Sequence, residues 1–291
     1  MTDGDRQPEE GSEATPQAQQ NGAGAKVIEV EKKVFLSSQQ REALRASLPP
    51  GKSKEFWDIY YDGPALELTK NDWWLRQRSG VWELKIPVTF GQGKNACQSY
   101  EEVDDPCAIL RRLVESGLIP ESPPASPATK QRRHALDHGT APPSVSNLVP
   151  ALEAHGVFPF CKVHTARTSI EVGRLGVQAN RMMLDLDTVT FDPVFAESLD
   201  GVGDVHDQAE RPFVIAEVEM MVAAGHEAEA AGSLEAFLVD HGLGSAPRAY
   251  SKVFEYLMRF RPRHLDSLAA AGGVCLTTLE QLKVAMADAV E

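Results

Sequence analysis

Six short stretches of the sequence place charged residues at every second position. In "KVIEVEKKVFL" these residues are Glu29, Glu31 and Lys33. Successive side chains of a β-strand point to opposite faces, so a strand here would put all three charges on one face. Like charges at this spacing repel each other unless a metal or a bound ligand compensates them. The stretch therefore predicts a strand face built to meet a ligand.

The same alternation recurs in five further stretches. They are "WWLRQRS" with Arg76 and Arg78, "WELKIP" with Glu83 and Lys85, "HTARTSI" with Arg167, "MLDLDTVTF" with Asp185 and Asp187, and "FVIAEVEMMV" with Glu217 and Glu219. One such strand alone is read more simply as the solvated outer face of a half-exposed sheet. Six strands that share the pattern favour a closed sheet with a polar inner face and apolar faces packed outward against helices.

The residue types on these faces suit a chelated polyphosphate. Arg binds phosphate oxygens through a planar fork of N–H donors, and Lys binds them as a compact charge. Pairs of Glu and Asp are hard oxygen ligands of the kind that Mg²⁺ and Mn²⁺ prefer. A cavity that brings the two sets together would hold the phosphates with its cations and their metal with its acids.

The elements that must position these residues are strands joined mostly by short turns, with a few helices between them. The predicted strands are Val27–Leu36, Phe56–Asp62, Trp73–Ser79, Trp82–Pro87, Phe160–Val172, Val177–Leu186 and Phe213–Val222, and the predicted helices are Ser38–Ser47, Asp105–Ser116, Asn147–His155, Ala228–His241 and Lys252–Phe260. Short turns such as "SGVW" imply antiparallel pairing. The predicted class is α+β, with a strongly curved sheet or barrel and helices outside.

Composition narrows the class of protein. The chain has 291 residues, 42% hydrophobic and 24% charged, which is enough for one sizeable core. A net charge of −13 argues against a general nucleic-acid or membrane-surface binder. No apolar run reaches the roughly 18 residues that span a membrane, and the first 25 residues have no signal or transit pattern. We therefore expect a cytoplasmic protein.

Three segments are too polar to build a core. They are the acidic, Gly- and Gln-rich tail Met1–Ala25, the Pro/Ser-rich insertion Pro120–Ser146 and the polar loop Ala196–Pro212. Such compositions bury too little apolar surface to offset the entropy of ordering. We expect the first two to be disordered and the third to be a loop between strands.

Several single residues have a plainer reading. Asp187 has the parity of Asp185, but an acid at a strand end is more often solvated. Glu83 would neutralise a neighbouring arginine. Trp73, Trp74 and Trp82 are expected to pack, although Trp74 has the parity of Arg76 and could face an organic group at the mouth of a tunnel. "GQGK" at 91–94 lacks the spacing of a phosphate loop and is read as a turn.

These motifs together resemble one known family. "EVEKK" has the E-x-E-x-K form of the CYTH proteins, also called triphosphate tunnel metalloenzymes, and the supporting stretches are "WDIYYDGPALELTKNDWWLRQRSGVWELKIP", "LDLDTVTF", "AEVEMMV" and "SKVFEYLMRFRP". Within the family the chain is most similar to thiamine triphosphatases. The resemblance covers roughly 27–118 and 158–268, and it implies a tunnel domain over 26–268, with a tail at 1–25 and an extension at 269–291.

The resemblance implies an eight-stranded antiparallel tunnel with a charged lumen and assigns its residues. The implied triphosphate-binding residues are Lys33, Arg76, Arg78, Lys85, Arg167 and Lys252, the implied metal ligands are Glu29, Glu31, Asp185, Glu217 and Glu219, and the implied catalytic pair is Tyr60 with Lys85. Because Lys252 lies on a predicted helix, it would reach the phosphates from the side or the mouth of the tunnel.

The implied activity is Mg²⁺-dependent hydrolysis (Mn²⁺ being possible) of thiamine triphosphate to thiamine diphosphate and phosphate. One metal would bridge the phosphates and a second would help to activate water. Inorganic tripolyphosphatase, nucleoside triphosphatase and adenylyl cyclase activities on the same fold stay open, as does a non-catalytic polyphosphate-binding module. The expected partner is a small-molecule triphosphate, with no nucleic acid and no membrane, and the chain is expected to be a monomer.

Overall fold

Eight antiparallel strands close into a barrel in the computed structural model, which describes residues 26–88, 98–121, 148–175, 180–196 and 205–270. The strands are β1 (Val27–Phe35), β2 (Lys52–Asp62), β3 (Trp74–Arg78), β4 (Val81–Pro87), β5 (Gln98–Val103), β6 (Phe158–Leu175), β7 (Asn180–Phe191) and β8 (Phe213–Ala223). Around the barrel their order is β1-β5-β4-β3-β2-β6-β7-β8. The predicted fold class, an eight-stranded antiparallel tunnel with helices outside, is confirmed.

Helices connect and cover the strands. They are α1 (Ser38–Ser47), α2 (Glu67–Lys70), α3 (Pro106–Glu115), α4 (Val149–Ala154), α5 (Pro193–Ala196), α6 (Val205–Glu210), α7 (Glu227–Asp240), α8 (Lys252–Phe260) and α9 (Pro262–Ala270). Local side chains set where several of them begin, because a side-chain oxygen can accept a bond from an N–H of the first turn. Asp105 does so at α3, where the Ala108 N–H donates at 2.7 Å, and Ser251 does so at α8.

The barrel is apolar outside and charged inside. A first outer cluster lies between α7 and the strands β1, β7 and β8 and includes Val30 and Leu234. A second lies between α3 and the strands β3 and β4 and includes Leu84 and Ile109. The third lies inside one end of the barrel, where inward residues such as Trp74 and Phe191 pack against α8 and α9 around Tyr256. The outward residues therefore form the first two clusters, and the inward residues away from the third cluster are free to be polar.

The third cluster marks one end of the barrel, called here the helix end. It joins Trp74 at the start of β3 and Phe191 at the end of β7 to Phe254 of α8. At the opposite end, Lys52 begins β2 and Arg181 lies near the start of β7, and both side chains are exposed. The lumen therefore runs from the packed face of α8 toward an exposed, basic end.

A tight turn sets the register of the strands that carry two predicted arginines. Ser79 and Gly80 connect β3 to β4 with φ values of 48° and 88°. Two consecutive positive φ angles are typical of the two-residue turns whose twist matches an antiparallel hairpin. Arg78 then pairs with Val81 and Arg76 with Glu83.

The structure corrects several element predictions. Strand β5 was not predicted from the residues, because "QSYEEV" shows no alternating apolar face, although Tyr100 is buried there. Strand β2 begins at Lys52, four residues before the prediction, and β7 runs from Asn180 to Phe191 where Val177–Leu186 was predicted. The expected loop Ala196–Pro212 contains helix α6, whose Ala209 is fully buried in the third cluster.

Other predictions fall where nothing is described. The tail 1–25, the phosphate-loop-like "GQGK", most of the insertion 120–146 and residues 271–291 lie outside the described ranges. The division into tail, tunnel domain and extension therefore stays a prediction. Among the helices of the described ranges, none has the length and apolar content needed to cross a bilayer.

We expect the outward face to carry the stability of the barrel. Replacing Leu84, which is fully buried in the second cluster, with Ala should lower the free energy of unfolding by about 2–5 kcal/mol. Val81 lies on the same strand but is 64% exposed, so Val81→Ala should change it by less than about 0.5 kcal/mol. Urea unfolding of both variants measures the difference, and equal losses would contradict the inside-out arrangement.

Candidate functional site

The lumen of the barrel holds a cavity of about 570 Å³ that brings together every residue predicted for the site. The predicted residues in its wall are Glu29, Glu31, Lys33, Tyr60, Arg76, Arg78, Lys85, Arg167, Asp185, Glu217, Glu219 and Lys252. Eleven of these come from seven strands through their alternation, and Lys252 comes from the first turn of α8, as expected from its place on a helix. Their roles are still predictions, but their placement in one cavity is a finding.

The five acids form two overlapping groups that could each hold a metal ion. Glu31 lies directly opposite Glu219 across β1 and β8, and Asp185 lies opposite Glu217 across β7 and β8. Carboxylate oxygens of Glu29, Glu31 and Glu219 lie within 4.8 Å of one another, as do those of Asp185, Glu217 and Glu219. Glu219 belongs to both groups, so it could bridge two ions.

The charge state of these acids fits a site that needs a cation. Burial raises the pKa of Glu29 to about 8, although Lys85 opposes the shift. Burial together with Asp185 raises the pKa of Glu219 to about 7, and burial also raises the pKa of Asp185. One oxygen of Asp185, Oδ1, is buried without a hydrogen-bond partner. A divalent cation would satisfy that oxygen and replace the protons that these acids otherwise hold.

The other two acids are already compensated. Burial works against ionisation of Glu217, but Lys252, Lys33 and Arg167 together hold its pKa well below the usual range. Burial likewise opposes ionisation of Glu31, and Lys33 and Lys85 outweigh it, so the pKa of Glu31 is lowered. Each group of acids thus contains at least one ionised carboxylate and one that favours a proton or a metal.

Two arginines of β3 are held by a buried carboxylate that the sequence reading missed. Asp58 is fully buried and accepts two bonds from Arg78, at 2.7 Å from Nε and 2.9 Å from Nη2. Its Oδ2 also lies 3.9 Å from Nη1 of Arg76, and Glu83 pairs with Arg76 as predicted. Burial opposes ionisation of Asp58, but the bond from Arg78 and the nearby Arg76 lower its pKa. This paired acid fixes the two guanidinium planes.

Asp187 plays the same part on the other side of the lumen. It is fully buried and accepts bonds from Arg167, at 2.7 Å from Nε and 2.6 Å from Nη2. Nζ of Lys252 lies 2.6 Å from the same carboxylate. Asp187 lies outside both groups of acids. The expectation of a solvated acid is therefore wrong: buried Asp187 joins strand β6 to helix α8 by holding their cations.

The remaining cations lie among the metal-site acids. Lys33 contacts Glu31, and Lys85 contacts Glu29, with Glu31 at 3.7 Å and Glu102 at 3.3 Å. Glu102 was not predicted, since it lies on the missed strand β5. Despite burial, these acids raise the pKa of Lys85 well above its ordinary value, so Lys85 stays charged.

Tyr60 and Lys85 both line the cavity but make different contacts. Tyr60 lies directly opposite Arg76 across β2 and β3, and the guanidinium of Arg76 donates to its hydroxyl oxygen. Burial raises the pKa of Tyr60 to about 12, so the phenol keeps its proton at neutral pH. Both residues can therefore donate hydrogen bonds near neutrality, and neither can act there as a base. Their joint catalytic role stays a prediction.

The tryptophans divide as predicted between packing and the cavity. Trp82 is buried in the second cluster, and Trp73 packs against it. Trp74 lines the cavity at the helix end, not at an exposed mouth, and its ring meets Phe254 edge-on at 5.8 Å between centroids. Asp72 accepts a 2.9 Å bond from the Trp74 indole and so fixes the ring.

The exposed end of the cavity is more basic than the sequence reading showed. Lys52, Lys54 and Arg181 line it, and the two lysines lie on the part of β2 that precedes its predicted start. Lys54 lies opposite Arg167 and Lys52 opposite Ser169 across β2 and β6. Their alternation with Phe56 and Asp58 was the signal that could have found them.

Comparisons with known proteins agree with this geometry. Residues 27–247 match the CYTH domain family. The chain is 26% identical over 251 residues to a thiamine-triphosphatase of Macaca fascicularis and 26% identical over 250 residues to that of Homo sapiens, covering in each case 83% of this chain and 89% of the relative. A solved Pyrococcus horikoshii structure aligns over 80% of this chain and 99% of its own, at 18% identity. Its TM-score is 0.45.

We expect these acids to make the stability of the metal-free protein depend on pH, and Mg²⁺ to remove that dependence. The folded chain keeps protons on Glu29 and Glu219 up to pH values of about 8 and 7, where an unfolded glutamate has released them. The metal-free protein should therefore lose stability as the pH rises above about 5 and toward about 8. Saturating Mg²⁺ should remove that loss, because metal binding displaces the same protons.

Melting temperatures recorded across this range, with a chelator or with Mg²⁺, measure the two slopes. Glu219→Gln should flatten the metal-free slope and reduce the gain from Mg²⁺, whereas Glu171→Gln, which changes a residue outside both acidic groups, should leave both as they are. Parallel slopes with chelator and with Mg²⁺ would contradict the assignment of these acids to a metal site.

Proposed function

The chain belongs to the CYTH domain family, and from that premise we propose that it hydrolyses the terminal phosphate of thiamine triphosphate with Mg²⁺, giving thiamine diphosphate and phosphate. Two curated relatives that cover most of its length are named thiamine-triphosphatase. The observation that carries the proposal is the juxtaposition, in one buried cavity, of two acidic groups that share Glu219 with a ring of basic side chains.

The basic residues divide into two sets according to what they would do. Arg76, Arg78, Arg167 and Lys252 are each held by a buried or partly buried acid and have further donors that can bond the phosphate oxygens. Such donors, fixed before the substrate arrives, stabilise charge that develops on the equatorial oxygens during phosphoryl transfer.

Lys33 and Lys85 form the second set, beside the acids of β1. Their ammonium groups would contact the phosphates nearest the metal site. Lys85 and Tyr60 both stay protonated near neutrality, so the proposal gives them the role of donors toward the leaving or transferred oxygens.

A bound divalent cation would supply neutralisation of the phosphate charge and alignment of the displaced group. The residues that would hold it are Glu29, Glu31 and Glu219, with Asp185 and Glu217 for a second ion. An all-carboxylate set fits Mg²⁺ or Mn²⁺ better than softer metals, since the latter prefer thiolate and imidazole ligands.

The organic end of the substrate would lie at the helix end of the cavity. Trp74 and Val253 line the wall there, and Asp72 fixes the Trp74 ring. An indole face attracts an organic cation such as the thiazolium of thiamine. This end therefore supports a substrate with a cationic aromatic group.

A second candidate is an inorganic tripolyphosphatase, which the exposed end of the cavity favours. Lys52 and Lys54 line that end, and across the described ranges neither ammonium lies within 4.0 Å of a carboxylate. Their charge suits a purely anionic chain. Cyclisation of ATP and binding without turnover stay as further outcomes of the same experiment.

Four further properties belong to this proposal: a cytoplasmic location, a monomeric state, a small-molecule partner, and no nucleic-acid or membrane partner. They agree with the net charge of −13 and with the charge lying inside the barrel.

Products released from thiamine triphosphate, tripolyphosphate and ATP, assayed in parallel with Mg²⁺, Mn²⁺ or Ca²⁺, test the proposal. We expect the highest kcat/KM for thiamine triphosphate. A higher kcat/KM for tripolyphosphate would instead identify an inorganic tripolyphosphatase, and formation of cyclic AMP from ATP would identify an adenylyl cyclase. Tight tripolyphosphate binding without turnover with any of the three ions would overturn the enzyme assignment.

Removing one acidic or one basic side chain from the lumen should abolish most of the activity. Glu29→Ala removes a metal ligand, and Arg78→Ala removes a phosphate donor, so each should lower kcat/KM about 10²–10³-fold. Arg45→Ala, on the exposed face of α1, provides the matched control and should leave the rate unchanged. Circular dichroism checks that the barrel persists, and wild-type rates in both lumen variants would refute the assignment.

Trp74 should distinguish organic from inorganic substrates. Trp74→Leu keeps an apolar side chain but removes the ring face, so KM for thiamine triphosphate should rise roughly tenfold. KM for tripolyphosphate, which has no organic group, should change by less than about twofold. Steady-state kinetics with both substrates measure the ratio, and a proportionate change in both would place the organic group elsewhere.

A further inference from the structure

Phe56 is an apolar side chain on the charged face of the barrel. It lies on β2 and shares its face with Lys54, Asp58 and Tyr60, because residues two apart on a strand point the same way. Its side chain is only 6% exposed. Of the buried apolar side chains in the described ranges, Phe56 alone belongs to none of the three clusters. Its burial therefore has another cause.

Basic side chains from four elements surround the Phe56 ring. Cζ of Arg78 lies 4.2 Å from its centroid, and Cζ of Arg167 lies 5.5 Å from it. Nζ of Lys54 lies at 5.4 Å and Nζ of Lys252 at 5.9 Å. Cations within about 6 Å of a ring centroid are attracted by the negative face of the ring. The ring is therefore a shared neighbour for cations of β2, β3, β6 and α8.

Three of these cations are the ones we propose to bind the triphosphate. Before the substrate arrives they repel each other across the lumen. Asp58 compensates Arg78, Asp187 compensates Arg167 and Lys252, and Asp185 and Glu217 also accept bonds from Arg167. A further carboxylate at position 56 would compete with the phosphates for the remaining N–H donors. An aromatic face attracts the cations without accepting a strong hydrogen bond, so it leaves those remaining donors to the cavity.

We propose that Phe56 is a positioning residue that gathers Arg78, Arg167 and Lys252 around its ring and holds them ready for the phosphate chain. The inference rests on the proposed function, since it needs these cations to bind a triphosphate. It adds to that function an uncharged residue that raises phosphate affinity, because its aromatic ring positions the cations that bind the phosphates.

The test changes the electrons of the ring and leaves its size almost unchanged. Mono-, di- and trifluorinated phenylalanines are incorporated at position 56 of the full-length chain, because each fluorine weakens the negative face. Tripolyphosphate binding is then measured by calorimetry in the presence of a chelator, so that hydrolysis does not interfere. The same series at Phe237, which is buried in the first outer cluster away from the cavity, is the matched control.

We expect log Kd to rise in proportion to the number of fluorines, with a loss of roughly tenfold over the series at position 56. The series at Phe237 should leave Kd unchanged, and melting temperatures should be equal within each series. Phe56→Leu, which fills similar space without a ring face, should weaken binding at least as much as the trifluorinated ring.

A flat series at position 56, with tripolyphosphate still binding to the wild-type chain, would overturn the role of Phe56 and leave the proposed function standing. Absence of tripolyphosphate binding by the wild-type chain, both with the chelator and with Ca²⁺ in its place, would overturn the proposed function, and the inference with it. The two failures are therefore distinct.

Discussion

Mutual compensation of buried charges is the interaction on which the rest of this structure depends. Isolated charges are far too costly to bury, so each must be paired or neutralised. In the lumen, Asp58 and Asp187 each hold an arginine in a two-point contact, and the acids of β1 lie against Lys33 and Lys85. The compensation is incomplete in both directions: some acids keep raised pKa values, and several guanidinium donors face the cavity. That imbalance leaves places for a metal and for phosphates.

An inward-facing charged lumen determines how the outside must be built. Strands normally bury an apolar face against a core, and here that face points outward. Helices α7 and α3 consequently cover parts of the outward face, and the pair α8 and α9 covers the apolar inward residues at one end. The same helices serve the site, since α8 brings Lys252 into the lumen and packs Phe254 against Trp74. Away from the helix end, stability and binding thus use opposite faces of the same strands.

Alternation along single strands made much of the site predictable from the sequence. Parity alone places Glu29, Glu31 and Lys33 on one face, and the structure brings them into the cavity. The partners of these residues were not predictable, because pairing across strands depends on register and on strands far apart in the chain. Asp58 lies twenty residues before Arg78, and nothing in the sequence around either residue indicates that the two are in contact. Strand β5 was not predicted for a different reason. Tyr100 is its one large buried side chain, and a single apolar residue does not make an alternating pattern.

The central claim is that the two acidic groups and the surrounding cations hold one metal-chelated triphosphate inside the barrel. Anomalous diffraction from crystals grown with Mn²⁺ and a non-hydrolysable triphosphate analogue tests it most directly. We expect manganese peaks at the carboxylate of Glu219, and phosphate oxygens bonded to Arg78, Arg167 and Lys252. Manganese bound only on the outer surface, or an analogue lying outside the lumen, would contradict it.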